Sequence, residues 1–305
     1  MTEQDPMINE LNILSKDEVD ELTHENIYTS LQFLLAPHSI LEKYFKKDEL
    51  VNILVTIQCR VNGVYRILDK KTLGEINSIT TSSTALDSKL KSGILSRQIT
   101  EICSEQHFPR IQLCYDIMLK FLQEQKEGIV LYNDSNGMFR PEIFNELGRY
   151  YGLNSKEILK KVSVFRPYSL PQQFEIFKIY ENSFKRFEHK LLIVDGLCES
   201  FKLVAKKKNI IFYRLKALEN FVMRLSYLAA RDNMIIILLN NSVLRFRDSA
   251  IVPEYEDIIS PFILTKILLH RLEDMTWEAK VIIGDYIGTV QFSLTEYGAG
   301  DIFDK

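Results

Sequence analysis

The spacing of apolar residues changes twice along the chain. Up to about residue 60 they recur at helical intervals behind capping residues. Ser15-Lys16-Asp17-Glu18 and Ser39-Ile40-Leu41-Glu42 each place a glutamate three positions after a serine, the spacing of a capping box, and Thr29 or Ser30 and Asp48 are further N-cap candidates. Val19 and Leu22, then Leu31, Leu34 and Leu35, then Leu50, Ile53, Leu54 and Ile57 follow them, which predicts a compact bundle of short helices over residues 1–61. Residues 62–76, polar and carrying Gly63 and Gly74, read as a linker. From residue 77 strand-like runs (Gln98–Cys103, Ile129–Asn133, Val162–Phe165, Leu191–Val194, Met234–Leu239) alternate with helical stretches at about Ile111–Lys126, Pro141–Tyr151, Gln172–Phe187 and Leu215–Arg231. Several runs are unbroken, as in parallel strands covered on both faces. Phe262–Leu272, Glu278–Ile283 and Val290–Leu294, separated by turn-like segments, read instead as an antiparallel meander. The expected class is α/β: a mostly parallel central sheet with C-terminal antiparallel strands over residues 77–305, preceded by a small all-α domain.

Composition narrows the partners. The chain has 305 residues, 46% hydrophobic and 26% charged, with a net charge of −3. This balance excludes a broadly basic nucleic-acid binder, so any DNA contact has to come from local patches. No stretch approaches the roughly 20 apolar residues of a membrane span, and no membrane partner is expected. The acidic, polar start Met1-Thr2-Glu3-Gln4-Asp5 does not read as a signal or transit peptide. Cys59, Cys103, Cys114 and Cys198 are scattered with no CxxC pair, which predicts buried reduced thiols rather than disulfides or a metal site.

The chemistry-bearing motifs begin at Ile79. Thr81, Ser82, Leu86, Asp87, Leu90, Gly93, Ile94 and the run Ile99-Thr100-Glu101-Ile102 follow an order that resembles the approach to the phosphate loop of RecA-type recombinases. In that family a loop of the form Gly-x-x-x-x-Gly-Lys-Thr-Gln comes next. This chain has Ser104-Glu105-Gln106-His107-Phe108-Pro109-Arg110-Ile111-Gln112, in which Glu105 and Gln112 keep the register while Ser104 and Pro109 replace the glycines, Arg110 the lysine and Ile111 the hydroxyl residue. A phosphate loop wraps its ligand with backbone N–H groups. Proline has no N–H, arginine is a broad fork rather than a compact ammonium, and isoleucine has no oxygen for Mg²⁺.

The resemblance continues downstream. Asp134, Gly137, Phe139, Arg140, Pro141 and Glu142 fit the family's second strand and turn, but Asn136 stands where the family has the glutamate that polarises water, and a neutral amide cannot act as a general base. Asp134-Ser135-Asn136-Gly137 looks most like the D-type paralogue of the eukaryotic recombinase. Lys190-Leu191-Leu192-Ile193-Val194-Asp195 has the form of a Walker B strand, Ser242 stands at the family's γ-phosphate-sensing glutamine, and Gly298 to Ile302 resembles its closing motif. The resemblance implies a RecA-like P-loop core whose nucleotide site is degenerate, with no ATP or Mg²⁺ cofactor and no catalysis. It also implies a nuclear accessory subunit in homologous recombination and double-strand break repair, assembling with other recombinase paralogues and the main recombinase. Single-stranded or branched DNA would be met by Lys206, Lys207 and Lys208 in one loop and Arg245, Phe246 and Arg247 in another. Solvated surface charge accounts equally for the lysine cluster; Arg245-Phe246-Arg247 tilts slightly toward DNA, against the acidic stretch Glu254-Tyr255-Glu256-Asp257 nearby. Two other readings stand beside this one: a weakly active DNA-dependent ATPase with Arg110 on phosphate, and an unrelated α/β scaffold.

Overall fold

In the computed structural model of the chain, the described residues are 7–11, 14–25, 27–36, 38–41, 43–45, 53, 76–91, 93–202, 208–245, 250–273, 275–284 and 286–302. They belong to two units, Met1–Gly74 with Ala205–Ala217, and Glu75–Val204 with Leu218–Lys305, so the division falls within the helix Lys208–Arg231.

The N-terminal unit contains a 3-10 turn at Ile8–Leu11 and helices Lys16–His24, Ser30–Leu35 and His38–Leu41. The first capping box forms, with Glu18 N–H donating to Ser15 Oγ at 3.3 Å and Ser15 N–H to Glu18 Oε2 at 2.6 Å. Thr29, not Ser30, caps the second helix, and Gln32 completes its box. The expectation for Ser39 fails: it lies inside the helix His38–Leu41, not ahead of it. Its proposed partner Glu42, along with Asp48 and most of the 62–76 linker, lies outside the described residues. Ile8, Leu22, Ile27, Phe33, Ala36, Leu41, Phe45 and Ile53 form the core of this unit.

The larger unit is built on β1 (Ser78–Ile79), β2 (Ile94–Leu95), β3 (Ile99–Ser104), β4 (Ile129–Asp134), β5 (Val162–Phe165), β6 (Lys190–Asp195), β7 (Ile235–Arg245), β8 (Ala250–Pro253), β9 (Thr265–Glu273), β10 (Thr276–Ile283), β11 (Tyr286–Thr295) and β12 (Gly298–Gly300). β1 and β2 pair as a small antiparallel ribbon. The main sheet runs β12-β11-β10-β9-β3-β7-β6-β4-β5, with β8 paired to β7 alone. β9, β3, β7, β6, β4 and β5 are parallel neighbours, and β9 to β12 form the antiparallel extension. β3 and β6 are buried at every position, which is why their sequences are unbroken rather than alternating.

Several element boundaries differ from the sequence reading. The helix after β3 spans His107–Glu124, starting four residues earlier than Ile111, because a proline in the first turn gives up only an N–H that has no helical partner. β7 runs on to Arg245 instead of ending at Leu239. The expected helix to Phe187 is α-helical over Leu170–Ile179 and continues as a π turn at Tyr180–Phe184. Helices Thr84–Leu90 and Ser155–Lys160 were not anticipated. β9 also joins the parallel part through β3, in addition to opening the meander. Cys103, Cys114 and Cys198 are buried free thiols, and Cys59 lies outside the described residues.

Candidate functional site

Parallel strands β3, β4, β6 and β7 present their C-terminal ends together, the place where open α/β sheets receive ligands. At the end of β3, Ser104 is fully buried, and only Glu105 and Gln106, both exposed, separate it from the helix beginning at His107. With no glycine between 104 and 110, nothing supports a wide loop, and the helix takes up Phe108, Pro109 and Arg110 into its first turn.

Helical side chains tilt toward the N-terminus, so a long side chain at this position reaches back over the strand end. Arg110 does so and is completely buried. One terminal nitrogen donates to the Ser104 carbonyl at 3.1 Å, the Gln106 carbonyl at 3.2 Å and Ser104 Oγ at 3.4 Å. The other reaches His107 Nδ1 at 2.5 Å and Asn241 Oδ1 at 2.7 Å. Arginine only donates, so His107 Nδ1 accepts and the ring is neutral. Burial, then the neighbouring Arg110, pushes its pKa below the usual histidine value. Burial likewise lowers the Arg110 pKa, against the pull of Asp195. Among the described residues no carboxylate forms an ion pair with Arg110. Ile111 faces the apolar core.

The turn after β4 is held from its own acid. Asp134 accepts Met138 N–H at 2.8 Å and Phe139 N–H at 3.2 Å, and pairs with Arg166 Nε at 2.8 Å. Phe139 plugs the turn into the core against Tyr115, Tyr132 and Phe144, with ring centroids 5.5, 4.8 and 5.8 Å away. Gly137 adopts φ +66°, the left-handed conformation glycine tolerates.

At the end of β6, Asp195 is buried, and both its oxygens are engaged: Tyr132 O–H donates to Oδ2 at 2.9 Å and Asn136 Nδ2 to Oδ1 at 3.0 Å. Burial raises its pKa to about 6 despite these donors. Gly196 follows with φ +73°, and a Cβ there would meet the Asn136 amide at 2.6 Å.

Asn241 is the last β7 residue in register with β3, opposite Ser104. Ser242 is already in the ribbon, opposite Pro253 of β8. Asn240, one residue earlier, donates to buried Glu101 and to the Glu254 carbonyl, both at 2.9 Å. Lys202 bridges Glu199 at 3.0 Å and Glu254 at 2.7 Å. Of the DNA candidates, Arg245 ends β7 and pairs with Glu256 at 3.3 Å, and Lys208 opens the helix Lys208–Arg231. Lys206, Lys207, Phe246 and Arg247 lie outside the described residues.

The structure therefore brings together Ser104, Arg110, Asn136 and Asp195, leaves Glu105 exposed, and turns Ile111 away. Sequence reasoning missed His107, Asn241 and Tyr132. A buried arginine so near the strand end was the available signal, since it must find acceptors. The earlier motif residues serve as fasteners: Asp87 accepts Thr81 N–H at 2.8 Å, Asp116 accepts Ser82 N–H at 3.0 Å, and Asp301 accepts Ser83 Oγ–H at 2.6 Å. Among the described residues no group of three His, Cys, Asp or Glu side chains could hold a metal, and no helix is long and apolar enough to cross a membrane.

With this geometry in view, comparison with known proteins places the chain. The family model described as Rad51 matches residues 73–272. The chain is 27% identical over 202 residues to the DNA repair protein rhp51 of Schizosaccharomyces pombe, covering 65% of this chain and 55% of that protein. It is 28% identical over 181 residues to the DNA repair protein RAD51 homolog of Solanum lycopersicum (58% and 53%) and 28% identical over 169 residues to the meiotic recombination protein DMC1 of Saccharomyces cerevisiae (54% and 51%). The matches span about half the length of these relatives.

Proposed function

The chain belongs to the Rad51 family, and from that premise we propose that it is a non-catalytic member of it, most like the D-type paralogue. In this reading it acts in the nucleus in homologous recombination and DNA double-strand break repair. It assembles with other recombinase paralogues and with the main recombinase and supports that recombinase's filament on single-stranded or branched DNA. The relatives' roles in DNA repair and meiotic recombination support the process.

One observation carries the loss of catalysis: the Arg110 guanidinium is buried among the Ser104 and Gln106 carbonyls. A triphosphate needs inward-facing N–H donors and an available cation. Here carbonyl oxygens face the centre, and the Arg110 terminal nitrogens are engaged within the protein. Asp195 keeps its Walker B place, but Tyr132 and Asn136 occupy its oxygens, and Asn136 offers no base. The residues present do not fit ATP–Mg²⁺, and we derive no hydrolytic step.

The test combines two assays on the purified full chain. The reading expects no ATP turnover by the chain itself, with or without DNA, and faster assembly of a Rad51-type recombinase on single-stranded DNA when the chain is added. ATP turnover that Asp195→Ala abolishes would overturn it in favour of an active ATPase, and failure to associate with any Rad51-family protein would remove the accessory role.

A further inference from the structure

We infer that the loop after β3 is a guanidinium-binding site occupied from within by Arg110, and that this occupant holds the β7–β8 ribbon in place. The inference rests on the reading that nucleotide does not bind here, and it adds both a ligand class and a consequence.

The lining defines the ligand. Every group that meets the Arg110 terminal nitrogens is an acceptor: two backbone carbonyls, a hydroxyl, an imidazole nitrogen and an amide oxygen, at 2.5–3.4 Å. A planar fork of donors satisfies such a set from within one plane. An anion in the place of the guanidinium would face these five acceptors. The polarity of a phosphate cradle is reversed.

The consequence lies at Asn241. β7 leaves the sheet there: its last pairing with β6 is Leu239 opposite Asp195, and its last with β3 is Asn241 opposite Ser104. Beyond Asn241, β7 pairs only with β8, and the ribbon exposes Val243, Leu244 and Ile251. An isolated two-stranded ribbon is marginal in water, so its position depends on what grips its base. Asn241 supplies one such grip, beside the contacts of Asn240 and Lys202 with Glu254 and of Arg245 with Glu256. Its Oδ1 accepts from Arg110, its Nδ2 reaches Glu199 at 3.4 Å and Glu254 at 3.5 Å, and its carbonyl accepts Glu254 N–H at 2.8 Å. Arg110 thus joins the helix His107–Glu124, through Asn241, to the base of the ribbon where β7 leaves the sheet.

The test is hydrogen–deuterium exchange on the full chain, read over the paired ribbon residues 243–245 and 250–252 and over 104–112. Arg110→Ala is expected to speed ribbon exchange about tenfold, the size of one lost buried hydrogen-bond group, and millimolar methylguanidinium is expected to restore protection. Unchanged ribbon protection overturns the inference, as does restoration by pyrophosphate or by neither additive. Should Arg110→Ala fail to fold, Asn241→Ala keeps the cation and its carbonyls while cutting the link. It is expected to loosen 243–245 and 250–252 and leave 104–112 as it was, and an unaffected ribbon overturns the coupling. ATP–Mg²⁺ added to the unsubstituted chain separates the two readings. Protection gained at 104–112 would sink the proposed function, whatever the ribbon does in the variants.

Discussion

The loops that follow β3 and β4 sit at the same end of the sheet and close around charges of opposite sign. After β4, a carboxylate is caged by backbone N–H groups of Met138 and Phe139 and by Arg166. After β3, a guanidinium is caged by the carbonyls of Ser104 and Gln106, an imidazole and an amide. The β4 turn is self-contained, with its acid, its N–H donors and its aromatic plug all serving the scaffold. In the β3 loop the two terminal nitrogens of Arg110 are satisfied internally while its Nε is buried without a hydrogen-bond partner. The two loops thus close around side chains of opposite charge, the one through backbone N–H groups and the other through backbone carbonyls.

Three substitutions probe that contrast by denaturant unfolding. Asp134→Ala should have the largest effect, a loss of about 3 kcal/mol, because buried N–H donors lose their acceptor and Arg166 loses its partner. A loss below about 1 kcal/mol would show that the aromatic plug alone holds the turn. Asp195→Asn should move stability the other way. The Asp195 pKa is raised by burial to about 6, so its contribution is fully present below the unfolded value near 4 and is lost as pH rises through about 6. Asparagine mimics the protonated form. The variant should be more stable at pH 7, by on the order of 2 kcal/mol, and should lack that part of the decline between pH 4 and 6. An unchanged pH profile would mean that Asp195 stays ionised in its cage.

Arg110→Met should cost least, about 1 kcal/mol, since the stranded carbonyls are offset by removal of a buried cation. A cost equal to that of Asp134→Ala would erase the distinction between the two loops.

The scaffold was legible in the sequence where burial dictates composition. Leu191 to Val194 and Ile129 to Asn133 can only be covered strands, and both are. The Ser15 and Glu18 box is a local code and formed as read. The misreadings arose where a local signal had a second meaning. By resemblance Pro109 interrupts a phosphate loop, yet it is also acceptable in a helix's first turn, and the loop is shorter than that register implied. Asn240-Asn241-Ser242 has the look of a strand end, but β8 supplies a partner and β7 continues. For the candidate site, the resemblance pointed to positions 104–111 and 136. The surroundings of Arg110 were not legible, because its partners include Asn241, far away in sequence. Arg166, just past the end of β5, was hidden for the same reason.

The central claim, that Arg110 and the loop carbonyls have closed this site to triphosphate, is tested most directly by calorimetric titration of ATP with Mg²⁺ into the folded full-length chain. The account predicts no saturable heat. Magnesium-dependent binding that disappears in Asp195→Ala would contradict it.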